Sequence, residues 1–254
     1  MKPFPAPAGF LARRLPAATA WFRPRSEKNI LAAWKKTGER FRFSEVTRRV
    51  PASLQYAGRV PVYSASFPGA GELVVRPCVH GGWWGRVARD FYFGPARVRR
   101  EVFASSRMTT MKIPTPTIEA VLFYPAGPFV RIEVVTRHVP DSQDLVRRLS
   151  ARPGPAERKR IFSSVRKLLN QLHRHGVRHP DLNARNILLS PSGGGTAWLL
   201  DVDAVKFEEP DTTAVDTRNR NRLLRSLLKR ARHGELGWSE QEVAQLWKEL
   251  FPRK

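Results

Sequence analysis

Asp181, Asn186, Asp201 and Asp203 lie close together in a 254-residue chain that has few acids. Asp181 and Asn186 belong to His179-Pro-Asp-Leu-Asn-Ala-Arg-Asn186, and the other two to Leu199-Leu-Asp-Val-Asp203. Between them come Ile187 and Leu188, the turn-forming run Ser190 to Gly195, and a second apolar run. Two short apolar strands joined by turn residues read as a β-hairpin. Such a hairpin returns Asp201 to the side of Asn186, so two oxygen ligands converge. Mg²⁺ takes one or two protein oxygens and fills its shell with phosphate oxygens and water. That geometry suits a metal–nucleotide site with Asn186 and Asp201 on the metal, and Asp181 is the candidate catalytic base on the motif spacing that follows.

The spacing also matches the catalytic loop of protein kinases, H-R-D-L-x-x-x-N, in which Asp is the base and Asn holds a metal ion. The elements that must position such a loop follow in kinase order. Glu157 to His175 reads as a long helix, with Ile161, Val165, Leu168, Leu169 and Leu172 at three- and four-residue spacing. Gly176 caps it in a left-handed conformation. Upstream, Gly58–Tyr63 and Glu72–Arg76 read as strands around the turn Pro68–Gly71. Arg76 ends an apolar run where a kinase carries its phosphate-holding base. Glu101, on a helix beginning near Arg97, is the only acid between Asp90 and Glu119 and is the expected partner of Arg76. No G-x-G-x-x-G precedes Arg76, so Gly58 and Arg59 are the one candidate phosphate-covering turn. Ala120–Tyr124 and Val130–Val135 complete the strands, and Thr136–Pro140 reads as a hinge. The expectation is an α+β, two-lobed, protein-kinase-like fold. Residues 1–50 form a basic extension, 51–136 a small antiparallel sheet lobe with its helix, and 137–254 a larger helical lobe.

Past Asp203 the pattern departs from protein kinases. No Ala-Pro-Glu element follows, and Thr217 to Arg232, with seven basic residues and no acid, already reads as a helix. There is little room for a segment that would hold a peptide, which points to a non-protein acceptor. Ser239 and Glu242 have the spacing of a capping box that opens a last helix. His179 reads as a structural residue of the loop, and Asp203 has no assigned role.

Composition narrows the setting. Lys and Arg number 45 against 22 Asp and Glu, a formal charge of +23. That balance calls for a polyanionic neighbour: nucleic acid, anionic lipid, or a phosphorylated or acidic substrate. Residues 1–50 carry twelve Lys/Arg and three Glu. They read either as a basic arm on an anionic membrane, with Trp21, Phe22 and Trp34 as interfacial anchors, or as an extension packed on the domain. One cysteine, Cys78, excludes an internal disulfide. No apolar run is long enough for a membrane span, and the Pro-rich start lacks a signal core, so the chain reads as soluble or peripheral.

His-x-Asp-Leu-Asn-x-x-Asn-Ile-Leu-Leu followed by Leu-Leu-Asp-Val-Asp resembles the lipopolysaccharide kinase family, the Kdo kinases and related core heptose kinases. Asn183 and the second Asp of Asp201-Val-Asp203 carry the likeness most specifically. Val-Val-Arg76, Gly81-Gly82, Asp90-Phe-Tyr, Arg-Arg-Glu101 and Arg222-Leu-Leu-Arg-Ser-Leu-Leu-Lys229 are similar as well. The resemblance implies transfer of the γ-phosphate of ATP, with Mg²⁺, to a sugar hydroxyl of the lipid A–core glycolipid. It implies a peripheral position on the cytoplasmic face of the inner membrane and no nucleic-acid partner. Arg76, where protein kinases carry Lys, leaves a second reading: a membrane-associated pseudokinase that binds nucleotide without transfer.

Overall fold

The computed structural model describes residues 1–37, 41–50, 54–56, 62–80, 90–191 and 195–251. The fold is α+β, in the order expected of a kinase-like chain. It forms two units of nearly equal length, Met1–Phe103 with Thr117–His138, and Ala104–Pro116 with Val139–Lys254.

The first unit is built on an antiparallel seven-stranded sheet in the order β1-β2-β6-β7-β5-β4-β3. Its strands are β1 (Leu11–Arg14), β2 (Thr19–Phe22), β3 (Leu54–Tyr56), β4 (Val62–Phe67), β5 (Gly71–Pro77), β6 (Ile118–Ala126) and β7 (Phe129–Arg137). Helices α1 (Pro24–Thr37) and α2 (Phe43–Arg49) belong to it, as does the start of α3 (Ala96–Thr110). Thus β4 and β5 flank the expected turn, and β6 and β7 contain the expected strands Ala120–Tyr124 and Val130–Val135.

The first fifty residues are not a free arm. Strand β2 pairs with β6, Trp21 opposite Val121, and extends the sheet. Trp21, Phe22 and Trp34 are buried in the core, so they are not available as membrane anchors. Two buried carboxylates fasten the segment. Glu119, at a bulge between β6 and β7, accepts from the Ser26 hydroxyl at 2.5 Å and from Arg137 at 3.1 Å. Glu133 accepts from the Ser44 backbone N–H (3.1 Å), the Ser44 hydroxyl (2.5 Å), Arg42 (3.1 Å) and the Tyr124 hydroxyl (3.0 Å). Burial, and the Glu133 charge beside it, push the Tyr124 phenol well above its ordinary value, so it stays a donor. A buried carboxylate is tolerable only with such a full set of partners.

The second unit adds β8 (Gln143–Asp144), α4 (Leu145–Ser150), α5 (Pro155–Arg174), β9 (Val177–Arg178), β10 (Ile187–Ser190), β11 (Thr196–Leu199), β12 (Lys206–Phe207), α6 (Thr213–Arg232) and α7 (Glu240–Leu250). The expected faces bury: Ile161, Val165, Leu168, Leu169 and Leu172 of α5 join Leu223 and Leu227 of α6 in one core. The Ser239–Glu242 capping box is present at the start of α7.

Glu133→Ala would strand the Ser44 N–H and the Tyr124 hydroxyl, each an orphan costing about 1–3 kcal/mol. The expected loss is roughly 3 kcal/mol, read as a fall in the urea midpoint at unchanged slope. A loss under about 1 kcal/mol would mean that Glu133 does not anchor α2.

Candidate active site

Strand β9 leads from α5 into the loop. Gly176, between them, has φ +62°, and a Cβ there would come within 2.1 Å of the Glu208 carbonyl oxygen. Only glycine lets this turn pass under the chain leading out of β12, which pairs with β9. Beyond β9 the loop folds on its own polar groups. The Leu182 N–H bonds the His179 carbonyl at 3.1 Å, and Leu182 is fully buried. The Asn183 Oδ1 accepts from the backbone N–H of Arg185 (2.9 Å) and Asn186 (3.2 Å), capping a single 3₁₀ turn. That turn swings Asn186 inward. Its Nδ2 donates to the Asp181 carbonyl at 3.0 Å. An amide with its nitrogen so engaged offers its oxygen as the ligand.

The hairpin is as expected: β10 and β11 pair antiparallel, with Ile187 opposite Leu199. The Leu200 N–H then donates to the Asn186 carbonyl at 2.8 Å, so the chain reaches Asp201 directly beside the loop. Asp201 has φ +53° and ψ +49°, a left-handed conformation that Asp tolerates better than most residues. The Leu200 carbonyl accepts from His179 Nε2 at 3.2 Å. The carboxylates of Asp201, Asp181 and Asp203 all lie within electrostatic reach of His179. Asp181, Asn186 and Asp201 are therefore brought together, and Asp203 with them. Among the described residues there is no group of three or more His, Cys, Asp or Glu side chains arranged to hold a metal ion alone. One amide and one carboxylate fit a hard ion that draws its other ligands from phosphate and water.

Helix α6 braces this loop. The Asn219 Oδ1 accepts the His179 backbone N–H (3.0 Å), and its Nδ2 donates to the Val177 carbonyl (2.8 Å). The Ser226 hydroxyl accepts the Ala184 N–H at 3.0 Å. Arg222 donates to the Asp181 carboxylate at 2.5 Å and to the Pro180 carbonyl at 3.2 Å.

In the first unit, the Arg76 guanidinium on β5 forms an ion pair with the buried Glu101 carboxylate on α3, as charge scarcity predicts. Gly58 and Arg59, the expected phosphate-covering turn, lie outside the described residues, as do Gly81 and Gly82.

Residues 33–249 match the lipopolysaccharide kinase (Kdo/WaaP) family. The chain belongs to that family. Similar proteins include a 3-deoxy-D-manno-octulosonic acid kinase from Xanthomonas oryzae pv. oryzae, 34% identical over 163 residues that make up 63% of each chain. One from Haemophilus influenzae is 28% identical over 182 residues, 69% of this chain and 73% of the relative. The alignment thus spans less than two thirds of the Xanthomonas protein. A solved structure of WaaP in complex with acyl carrier protein is 18% identical, with a TM-score of 0.45, over 84% of this chain and 96% of that one.

For a lipopolysaccharide kinase family member, two braces were invisible in the sequence. Asn219 and Ser226 lie about forty residues past the loop in a helix that reads only as basic and amphipathic. A buried Asn or Ser has no spacing signature. Asn183 was marked by resemblance alone, and its geometry supplies the reason: it is the cap that turns Asn186 inward.

His179 is the titrating member. Burial pushes its imidazole below the ordinary 6.5, against the opposing pull of the Leu200 hydrogen bond and the nearby carboxylates. With Nε2–H donating to Leu200 and no partner for Nδ1 among the described residues, the neutral ring is the form that fits. An unfolded chain takes up this proton at higher pH than the folded one. The stability is therefore full above 6.5 and falls as pH drops from there toward the lowered folded value. His179→Gln, which keeps a donor and cannot titrate, is expected to flatten that fall. Melting temperatures at pH 8 and pH 5 check it; parallel losses in both proteins would assign the acid sensitivity elsewhere.

Proposed function

We propose that the protein is an ATP-dependent kinase that phosphorylates a hydroxyl of a Kdo, or core heptose, sugar of the lipopolysaccharide inner core. The carrying observation is that Asn186 Nδ2 donates to the Asp181 carbonyl while the Asn186 carbonyl accepts the Leu200 N–H, which sets Asp201, next in the chain, beside the loop. Family membership and the names of the relatives support the acceptor class.

In this reading the acceptor hydroxyl oxygen attacks the γ-phosphorus. The bond to the β–γ bridging oxygen breaks, ADP leaves, and the hydroxyl proton passes to Asp181. A bound Mg²⁺ would supply positive charge against the negative charge that develops on the phosphates. Asn186 and Asp201 are the side chains that would hold it. Arg76, fixed by Glu101, cradles phosphates, and its planar fork offers two donors where Lys offers a point charge. Catalysis rests on positioning and electrostatics. The excess of basic side chains suits peripheral attachment to an anionic inner-membrane surface. Among the described residues no helix is long and apolar enough to cross a membrane.

The test is mass spectrometry of a Kdo–lipid A acceptor incubated with the protein and Mg-ATP. Wild type is expected to add phosphate. Asp181→Ala should slow transfer by about 10²–10⁴-fold, the range for a general base, with ATP affinity retained. ATP bound without transfer in wild type would favour the non-catalytic binding module, and near-normal turnover in Asp181→Ala would remove Asp181 from its role.

Asp201 gives a second, paired prediction. Asp201→Asn keeps a side chain tolerant of the left-handed backbone, whereas Asp201→Ala adds about 1–2 kcal/mol of strain. Both are expected to lose transfer, but only the alanine variant should also unfold earlier in urea. Equal stabilities would show that the backbone conformation at Asp201 stores no strain.

A further inference from the structure

Beside Asp181, a cavity of about 410 Å³ opens between the segment Arg178–Pro180 and one face of α6. Arg218, Arg222 and Arg225 recur on that face at helical spacing, with Arg178 across from them. These four guanidiniums meet two carboxylates. Glu208 is shared by Arg178 and Arg218, and Asp181 is paired with Arg222. Among the described residues no carboxylate pairs with Arg225. The cavity therefore keeps an excess of positive charge after its internal pairs are counted. Leu224 and Leu228 add an apolar patch to the wall, suited to the C–H face of a sugar ring. The volume is that of a site for one small polar ligand.

Arg222 belongs to two sites at once. It lines this cavity and donates to both Asp181 and the Pro180 carbonyl. A guanidinium carries five N–H donors in a planar fork, so donors remain beyond these two bonds.

We propose that the cavity seats an oxyanion of the acceptor, a carboxylate or a phosphate carried on the sugar. Arg222 joins that oxyanion to Asp181, so that a neighbouring hydroxyl arrives at the base. This rests on the kinase reading above and gives it a recognition site. Arg225 and Arg218 supply charge, and Arg222 supplies register, because a fork can hold an oxyanion and a carboxylate in fixed relation where an ammonium cannot. Arg222 is thus a positioning residue. The sugar-acid names of the relatives supply one such oxyanion, the carboxylate, and the glycolipid's phosphates are the other source.

Equilibrium binding decides the matter without any transfer step. Calorimetric titration of the full-length protein would use the deacylated Kdo–lipid A saccharide, its Kdo methyl ester, and its dephosphorylated form. The unmodified saccharide is expected to bind wild type. Affinity should fall by about tenfold or more in Arg225→Gln, and similarly for whichever modified saccharide has lost the seated group. Loss with the ester assigns the carboxylate, and loss on dephosphorylation assigns a phosphate. Arg222→Lys, which keeps charge but not the fork, is expected to weaken binding of the saccharide with ATP affinity unchanged.

Equal affinity of wild type for all three saccharides, or no binding of any, would overturn the proposal, and it needs no variant that must fold. Full retention of affinity in Arg222→Lys would remove the fork's role. Binding that follows the expected pattern in a protein unable to transfer phosphate would count against the kinase reading alone. Transfer that proceeds equally well to all three saccharides would count against the seat alone.

Discussion

The peptide group of Leu200 is the point on which the geometry of the candidate site depends. Its N–H is held by the Asn186 carbonyl and its carbonyl by the His179 ring. The loop and the strand returning from the hairpin are thereby locked at one residue. The flanking side chains Ile187, Leu199 and Val202 are buried, so water does not compete for these bonds and each is worth more than a surface bond. Asp201 follows immediately and takes a left-handed turn that few residues accept. The strain of that turn is held by the same two bonds, an arrangement common where backbone geometry serves a site. Protonating His179 would place a charge in this dry contact, and for that reason the ring has to remain neutral.

The parts legible in the sequence were those whose cause is local. Spacing within His179–Asn186 and Leu199–Asp203 reports a loop and a hairpin because five to eight residues suffice to form them. The Arg76–Glu101 pair was legible for a different reason: with one acid in a long basic stretch, charge scarcity leaves a single candidate. The N-terminal segment was opaque because its causes are distant. Strands β1 and β2 are four residues each, too short to display alternation. Their reason to form is the edge of β6, a hundred residues away. Glu119 and Glu133 look like solvent-facing members of strands, yet both are fully buried and accept from the hydroxyl and guanidinium groups of Arg25, Ser26, Arg42 and Ser44. A hydrophobic pattern cannot announce a buried carboxylate, since what makes it tolerable is a set of donors from elsewhere in the chain.

The same difference between local and distant causes bears on the positive charge. On α6, Arg220 pairs with Asp216, Arg230 with Glu235 and Arg232 with Glu240. Ion pairs with access to solvent are screened and contribute little, so stability alone is a weak reason for so many arginines on one helix. Position is the stronger reason. The arginines that face Arg178 and Pro180 sit where the helix also supplies Asn219 and Ser226 to brace the loop. One rigid element therefore sets both Asp181 and the charges around it. A twenty-residue helix packed through Leu223 and Leu227 holds these side chains in register more firmly than a loop would. A displacement of α6 would move Asp181 and the arginine face together, which keeps their spacing constant. If an acidic sugar is what enters the adjoining cavity, that constancy is what lets charge recognition select the hydroxyl that reacts.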